Sequence, residues 1–247
     1  MNWSTRYVKE SFAVRAPGVR VTPGMGMNPV KKISDATNNF YNNGGSIEIH
    51  HFKEETPTTV NEDMSRRFSD QLERVQKLQT SSPVVDKAKS WLSMALSRLS
   101  KEYRTGQTPN GAAANRTVLL AKDRDGNAIG HLVVTPNEDG TEHHVVGLSS
   151  LPNNNGAPYA LQHALVKHIL GPTGTILKSN VYHHYTNPEV RDNAMEFQQG
   201  IGRRIGPDDP TLNGPTSEFN SSWSREDVQH LVDNIKVNKE QIEKFGL

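Results

Sequence analysis

The pattern of hydrophobic and polar positions in the first half of the chain predicts one strand followed by two amphipathic helices. The segment Ser46–Phe52 alternates between apolar and polar residues, which is the period of a strand. Apolar residues then recur every three or four positions in two stretches, which is the period of a helix. The first helix is capped near Asn61, and the second begins at Ser82-Pro83 and ends at Gly106. The apolar face of the first helix consists of Met64, Phe68, Leu72, Val75 and Leu78. The apolar face of the second consists of Ala88, Trp91, Leu92, Ala95, Leu99 and Tyr103.

The second half continues with three strands, a helix, a further strand and a further helix. A glycine in the turn 123–127, between two β-rich runs, favours a hairpin. The strands fall at 116–123, 128–136, 142–151 and 175–185, and the helices at about 159–170 and 188–200. The resulting order is β-α-α-β-β-β-α-β-α. The predicted fold class is therefore α/β (α+β) with a mixed sheet, in which the third and fourth of these strands are parallel neighbours that splay apart at their carboxyl ends.

The two ends of the chain lack this regularity. Residues 1–44 are dense in Asn, Gly, Ser, Thr and Pro and show no hydrophobic period, which predicts a flexible N-terminal extension that contributes little to the core. Ser224 and Asp227 form a capping box for a last helix. The apolar positions of that helix are Val228, Leu231, Val232, Ile235 and Ile242. We expect a folded domain over 45–207 and a loop with a C-terminal helix over 208–247.

Composition narrows the possible partners. Basic and acidic residues number 28 and 27, for a formal net charge of +1, so no overall field draws the protein to nucleic acid or to an anionic membrane. No apolar run reaches the ~18 residues that suggest a membrane span, and we expect no Sec-type signal peptide. The sequence has no cysteine, which excludes disulfides, thiolate zinc sites and cysteine nucleophiles.

The order of elements over about two thirds of the chain resembles that of the GNAT N-acetyltransferases, and three local motifs sharpen the resemblance. The hairpin at 125–132 is similar to the family's second and third strands. The strand, loop and helix around Gly156 are similar to the unit that carries the family signature Q/R-x-x-G-x-G/A. Residues 193–202 resemble the helix of its last motif. The resemblance implies a GNAT-like mixed sheet and acetyl transfer to an amine.

The resemblance also implies that acetyl-CoA is the donor substrate and that no metal is needed. In the family, amides of the signature loop hold the pyrophosphate at a helix N-terminus, where unpaired N–H groups attract anions. The pantetheine arm pairs with a splayed strand. The cofactor-binding residues implied are Leu148, Ser149, Ser150, Asn153, Asn155, Gly156, Ala157, Asn187 and Asn193.

Two residues are candidates for the base that takes the proton of the ammonium group. Glu142 falls where the histone-acetyltransferase branch of the family places its general-base glutamate. His144 lies two residues further along the same predicted strand and therefore on the same face. The chain departs from the family at Asn153, Asn155 and Pro158 of the signature loop. It departs again at Gln198, where the family often has a tyrosine that protonates the leaving thiolate.

These departures keep two alternatives open. One is a GNAT-like binding or adaptor module that no longer acetylates. The other is a histidine-based metallohydrolase, because three His-His pairs stand on predicted strands, at 50–51, 143–144 and 183–184. Three imidazoles can hold zinc, although adjacent strand residues point to opposite faces, so each pair could contribute only one.

The polar N-terminus suggests a location for the protein. Such a segment is typical of proteins exported by needle-type secretion systems. The leading hypothesis is a bacterial effector, delivered into another cell without a Sec signal, that modifies an amine of a protein. The alternative is a cytoplasmic protein with an ordinary flexible tail.

Overall fold

The computed structural model describes residues 28–52, 58–79, 82–106, 115–152, 156–171, 177–185, 188–205 and 217–238. The helices are α1 (Pro29–Asn42), α2 (Thr58–Lys77), α3 (Pro83–Thr105), α4 (Ala157–Leu165, continuing as a π-helical turn over Val166–Leu170), α5 (Pro188–Gly200) and α6 (Arg225–Asn234). The strands are β1 (Ser46–Phe52), β2 (Arg116–Lys122), β3 (Ala128–Pro136), β4 (Glu142–Ser150), β5 (Lys178–Tyr185), β6 (Arg204–Ile205) and β7 (Ser217–Trp223).

In the described residues the strands form one sheet in the order β1-β2-β3-β4-β5-β7-β6. Strands β4 and β5 pair in parallel, and every other neighbouring pair is antiparallel. The helix α4 connects the two parallel strands, as a crossover connection must. The predicted α/β class, with a mixed sheet and the order β-α-α-β-β-β-α-β-α from β1 to α5, is confirmed.

The helices cover both faces of this sheet. A side chain at Gly130 of β3 would meet Leu161 of α4, whereas the next residue, His131, lies within electrostatic reach of Arg98 on α3. Because neighbouring strand residues point to opposite faces, α4 packs on one face of the sheet and α3 on the other. Helix α2 packs beside α3, and α1 packs against α4.

Helix α1 corrects the interpretation of residues 1–44 as an extension without structure. Its N-cap Asn28 accepts a hydrogen bond from the backbone N–H of Val30 at 3.0 Å, and its side chains Ile33 and Phe40 are fully buried. The sequence shows no clear helical period here because polar residues such as Thr37 share the buried face of α1. Residues 1–27 lie outside the described residues.

The C-terminal part is also more ordered than its composition suggests. The interpretation of the region after α5 as a loop is wrong for β7, which pairs with β5 along 179–185. The predicted capping box is confirmed: Ser224 and Asp227 exchange side-chain hydrogen bonds with each other's backbone N–H groups. The helix ends at Asn234, so the inclusion of Ile235 is wrong, and Ile242 lies outside the described residues.

The segment after α6 runs along α1 and holds it in place. The backbone N–H of Lys236 donates to Ser34 Oγ at 3.1 Å, and Asn38 Nδ2 donates to the carbonyl oxygen of Lys236 at 3.0 Å. Helix α1 is therefore fixed between α4 and the C-terminal segment.

Candidate active site

An opening between β4 and β5 is the feature of the sheet that bears most directly on function. Residues 142–145 of β4 pair with residues 178–181 of β5, and the described residues beyond them do not pair with each other. Both strands nevertheless continue, β4 to Ser150 and β5 to Tyr185. The predicted parallel neighbours that splay at their carboxyl ends are confirmed. We call the space between residues 146–150 and 182–185 the β4–β5 opening.

A bulge in β4 marks the point where the strands separate. Val133 pairs with Gly147 and Val134 with Val145, which leaves Val146 as an extra residue on β4. A bulge of this kind bends the strand that carries it. The bulge therefore directs the rest of β4 away from β5.

The backbone of β4 beyond the bulge presents hydrogen-bonding groups to the opening. The N–H of Leu151 donates to the carbonyl oxygen of Ile129 at 2.7 Å, which sets the alternation of the antiparallel ladder with β3. In this alternation, Ser149 points its N–H and C=O towards β3, and Leu148 and Ser150 point theirs towards the opening. Of these three residues, Leu148 and Ser150 have the backbone orientation that the predicted pairing with pantetheine requires, and Ser149 does not.

The helix that follows begins at a glycine in a left-handed conformation. Gly156 has φ of +79° and precedes the first residue of α4, Ala157, which is fully buried. The N–H groups of Tyr159 and Ala160 both donate to the carbonyl oxygen of Gly156 at 3.0 Å, and Pro158 has no N–H. The first turn of α4 thus has fewer donors for a pyrophosphate than an ordinary helix N-terminus. Asn153 and Asn155 lie outside the described residues.

Packing within the protein, and not a cofactor, explains why position 156 needs a glycine. A Cβ built on Gly156 would stand 2.0 Å from the carbonyl oxygen of Ala36 and 3.3 Å from Cβ of Phe40, both in α1. The close approach at this glycine is therefore to a helix of the protein itself. The resemblance had implied a close approach of pyrophosphate instead.

The two predicted catalytic residues lie together at the start of β4. His144 Nε2 is 3.9 Å from Glu142 Oε1, and their side chains are 46% and 22% exposed. The backbone N–H of Glu142 donates to Asn137 Oδ1 at 3.0 Å, and the carbonyl oxygen of Glu142 accepts from the N–H of Asn137 at 2.8 Å. Glu142 lies at the end of β4 that pairs with β5, where its partner in the register is Lys178. It lies three residues before the strands separate, roughly 10 Å along the strand.

Helix α5 contributes a buried amide. Gln198, where the family tyrosine would stand, is 0% exposed, and neither atom of its side-chain amide has a hydrogen-bond partner among the described residues. Asn193 is half-buried in the middle of the same helix, and Asn187 lies outside the described residues. The ring of Phe197 packs on that of Tyr159 in α4, with centroids 5.3 Å apart.

A buried pair, His131 and Ser149, was missed from the sequence. His131 Nδ1 lies 2.6 Å from Ser149 Oγ, and the two residues are 5% and 2% exposed. Burial lowers the pKa of His131 to about 4, and the positive charge of Arg98 acts in the same direction. The sequence feature that could have indicated this pair is the single histidine, His131, within the apolar run 128–134.

The strand order separates the histidine pairs that a zinc site would need. Strands β2 and β3 lie between β1, which carries residues 50–51, and β4, which carries residues 143–144. At ~4.8 Å per strand, these pairs are roughly 14 Å apart, too far to share one ion. The side chains of residues 183–184 lie outside the described part. No three His, Asp or Glu side chains of the described residues are grouped to hold a metal.

The helices that the structure describes include none that is both long and apolar enough to cross a membrane.

Comparisons with known proteins give structural neighbours only. No protein-family model matches the chain, and no curated protein matches it. Three similar solved structures are nourseothricin acetyltransferase, a protein described as a GNAT-family acetyltransferase from Desulfovibrio desulfuricans, and spermidine N-acetyltransferase from Vibrio cholerae, solved with CoA and spermine. Their sequence identities are 15%, 10% and 9%, and their TM-scores are 0.35, 0.44 and 0.39.

The match covers 43%, 73% and 74% of this chain, and 64%, 99% and 98% of the respective neighbours. The chain thus spans less than two thirds of the length of nourseothricin acetyltransferase. At these identities and TM-scores the neighbours carry no argument about substrate.

Proposed function

We propose that the protein is an acetyl-CoA-dependent N-acetyltransferase. The observation that carries the proposal is the β4–β5 opening, where the bulge at Val146 turns a strand edge away from its neighbour. Such an edge has the N–H and C=O groups of Leu148 and Ser150 directed into the opening. Two secondary amides in series, as in the pantetheine arm of CoA, are the chemistry that a free strand edge binds.

In this proposal the parts of the opening have separate tasks. Leu148 and Ser150 would pair with the amides of pantetheine, and Gly156 and the start of α4 would lie near the pyrophosphate. Acetyl-CoA supplies an activated acyl group as a thioester. The protein would hold the thioester in the opening and remove the proton of the incoming amine.

The acceptor and the location are a second part of the proposal. We take the acceptor to be an amine of a protein and the enzyme to be an effector delivered into another cell. The support is the composition of the N-terminal segment, in which residues 1–44 are dense in Asn, Gly, Ser, Thr and Pro.

A GNAT-like adaptor that does not acetylate is the second candidate, and two observations favour it. The carbonyl of Ala36 packs on Gly156 at the start of α4, and Pro158 removes a backbone donor from the same turn. Both reduce the capacity of this helix N-terminus to hold a pyrophosphate.

Ligand-induced stabilisation tests the enzyme against the adaptor. Saturation with acetyl-CoA at 100 times its Kd should raise the free energy of unfolding by ~2.7 kcal/mol. The matched ligands are S-acetylpantetheine, which tests the strand edge, and adenosine 3′,5′-bisphosphate, which tests the nucleotide side. We expect the first to stabilise the protein and the second to have a weaker effect. A protein that none of the three ligands stabilises, and that releases no CoA with any amine, is the adaptor.

A further inference from the structure

The pair His131 and Ser149 is built into the sheet beside the β4–β5 opening. His131 is the one polar residue in the stretch 128–134 of β3, and its Nδ1 lies 2.6 Å from Ser149 Oγ. Its other ring nitrogen, Nε2, lies over Gly147 of β4, since a Cβ at Gly147 would be 3.4 Å from it. Nε2 has no hydrogen bond to any described residue, so this nitrogen is available for chemistry.

The position of Gly147 places this nitrogen at the opening. Gly147 follows the bulged residue Val146, and β4 has left β5 after Val145. The ring of His131 therefore lies over β4 at Gly147, a residue on the border of the opening, on the face of the sheet that α3 covers. Because Gly147 has no side chain, no Cβ stands between Nε2 and the backbone of β4.

Glu142, the base that the family resemblance implies, lies further away. It is five residues before Gly147, roughly 16 Å along an extended strand. It also stands on a rung where β4 and β5 are still paired. A carboxylate there lies further from an amine in the opening than the imidazole, whose Nε2 lies over Gly147 on the border of the opening.

We propose that His131 Nε2 accepts the proton of the incoming ammonium group and that Ser149 is a positioning residue that fixes the imidazole ring. The inference rests on the proposed acetyl transfer. In the step, Nε2 takes one proton from the ammonium group, and the amine lone pair attacks the thioester carbonyl carbon. A C–N bond forms, and the C–S bond breaks with its electron pair on sulfur. The thiolate takes the second proton of the amine, and the imidazolium returns its proton to water.

The surroundings of the imidazole keep it in the form that this role requires. Burial and the charge of Arg98 lower the pKa of His131, so Nε2 is unprotonated at pH 7 and able to accept a proton, and the same lowering makes it a weaker base than a free imidazole. When Nδ1–H donates to Ser149 Oγ, the lone pair is on Nε2, the nitrogen that faces Gly147. Ser149 would thus fix the orientation of the ring, and its hydroxyl, which can donate or accept, fits either tautomer.

Three variants separate the two candidate bases. His131→Gln keeps a polar side chain of similar size but cannot take the proton, Glu142→Gln does the same for the carboxylate, and His163→Gln is a control for the loss of another buried histidine, on α4. CoA release is measured with spermidine, whose amines are ammonium groups at pH 7, and with hydroxylamine, which is neutral. We expect His131→Gln to lose ~10²–10⁴-fold of turnover with spermidine. With hydroxylamine it should lose much less, because no proton must be removed before attack.

We expect His163→Gln to stay within a few-fold of wild type with both amines, and Glu142→Gln to lose less turnover with spermidine than His131→Gln loses. Ser149→Ala should lower kcat and leave the KM for acetyl-CoA unchanged, and it serves as the second variant should His131→Gln fail to fold. Wild-type turnover in a folded His131→Gln, or in Ser149→Ala, overturns this inference and leaves acetyl transfer standing. A tenfold or greater loss in Glu142→Gln with His131→Gln unaffected returns the role to Glu142. A wild-type protein that transfers to neither amine, hydrolyses no acetyl-CoA and is not stabilised by acetyl-CoA overturns acetyl transfer and this inference together.

Discussion

The carbonyl oxygen of Ala36 in α1 packs directly on Gly156 at the start of α4, so that a Cβ at Gly156 would stand only 2.0 Å away. In a resembling acetyltransferase this glycine would be explained by a pyrophosphate. Here the glycine is explained by helix packing, and substitutions at position 156 therefore report on the docking of α1 before they report on a cofactor.

Gly156→Ala should destabilise the protein by more than its backbone conformation alone explains. A left-handed conformation costs a non-glycine residue ~1–2 kcal/mol, and the clash with Ala36 should add ~1–3 kcal/mol. Gly140→Ala is the matched control, because Gly140 also has positive φ (+69°) but has no heavy atom within 4 Å of its Cβ position. Urea unfolding measures both variants. Equal losses would show that α1 does not press on Gly156 in solution.

Phe40→Ala tests whether α1 belongs to the core. Phe40 is 1% exposed and its ring packs edge-on against Tyr41, with centroids 5.2 Å apart. Removal of a buried phenylalanine side chain costs ~3–5 kcal/mol, so the midpoint of thermal unfolding should fall sharply. Met94→Ala, at a side chain 59% exposed on α3, should change the stability by less than ~0.5 kcal/mol. A Phe40→Ala protein as stable as wild type would restore the interpretation of residues 1–44 as an unpacked extension.

Stability should fall in mild acid because of buried histidines. Burial lowers the pKa of His163 from 6.5 to about 3, and Lys167 and His168 add to the effect. Below pH 6.5 the unfolded chain binds a proton at this residue and the folded protein does not. The stability that neutral, buried His163 contributes to the folded protein is therefore fully present above about pH 6.5 and is lost as pH falls towards 3. His163→Gln should flatten the dependence of the urea midpoint on pH in this window, and an unchanged slope would contradict the assignment.

Much of the fold could be predicted from the sequence because its signals are local. The alternation in Ser46–Phe52, the helical period through Trp91 and Leu92, and the capping box at Ser224 each lie within a few residues. Strand β7 could not be predicted in this way. Its residues Asn220, Ser221 and Ser222 are polar, and what makes them a strand is pairing with β5 some forty residues earlier.

The site was predictable only in part for the same reason. The opening follows from the order of elements around Gly156, whereas the position of Glu142 relative to it depends on how many rungs of β4 and β5 pair. The pair His131 and Ser149 depends on the register between β3 and β4, which neither residue reveals alone. The contact of Ala36 with Gly156 joins residues 120 positions apart and could not be inferred from either.

Gln198→Met should separate stability from activity. The amide of Gln198 is fully buried and has no hydrogen-bond partner among the described residues, and an unsatisfied buried polar group costs ~1–3 kcal/mol. Methionine has nearly the same shape without the amide, so the free protein should become more stable to urea. If the amide instead serves the leaving thiolate, at the position of the family tyrosine, acetyl transfer should slow in the same variant.

Gln162→Met is the control for this substitution. Gln162 is also buried, at 1% exposure, and its Oε1 also lacks a partner within the described part of the chain, but it lies on α4 and not on α5, where the resemblance places the residue that protonates the thiolate. We expect this control to gain stability without losing turnover, because its amide has no task in the reaction. Turnover is measured as CoA release with hydroxylamine and stability as the urea midpoint. A Gln198→Met protein that gains stability and keeps full turnover would show that the buried amide takes no part in the chemistry. One that loses stability would show that the amide is satisfied within the folded protein.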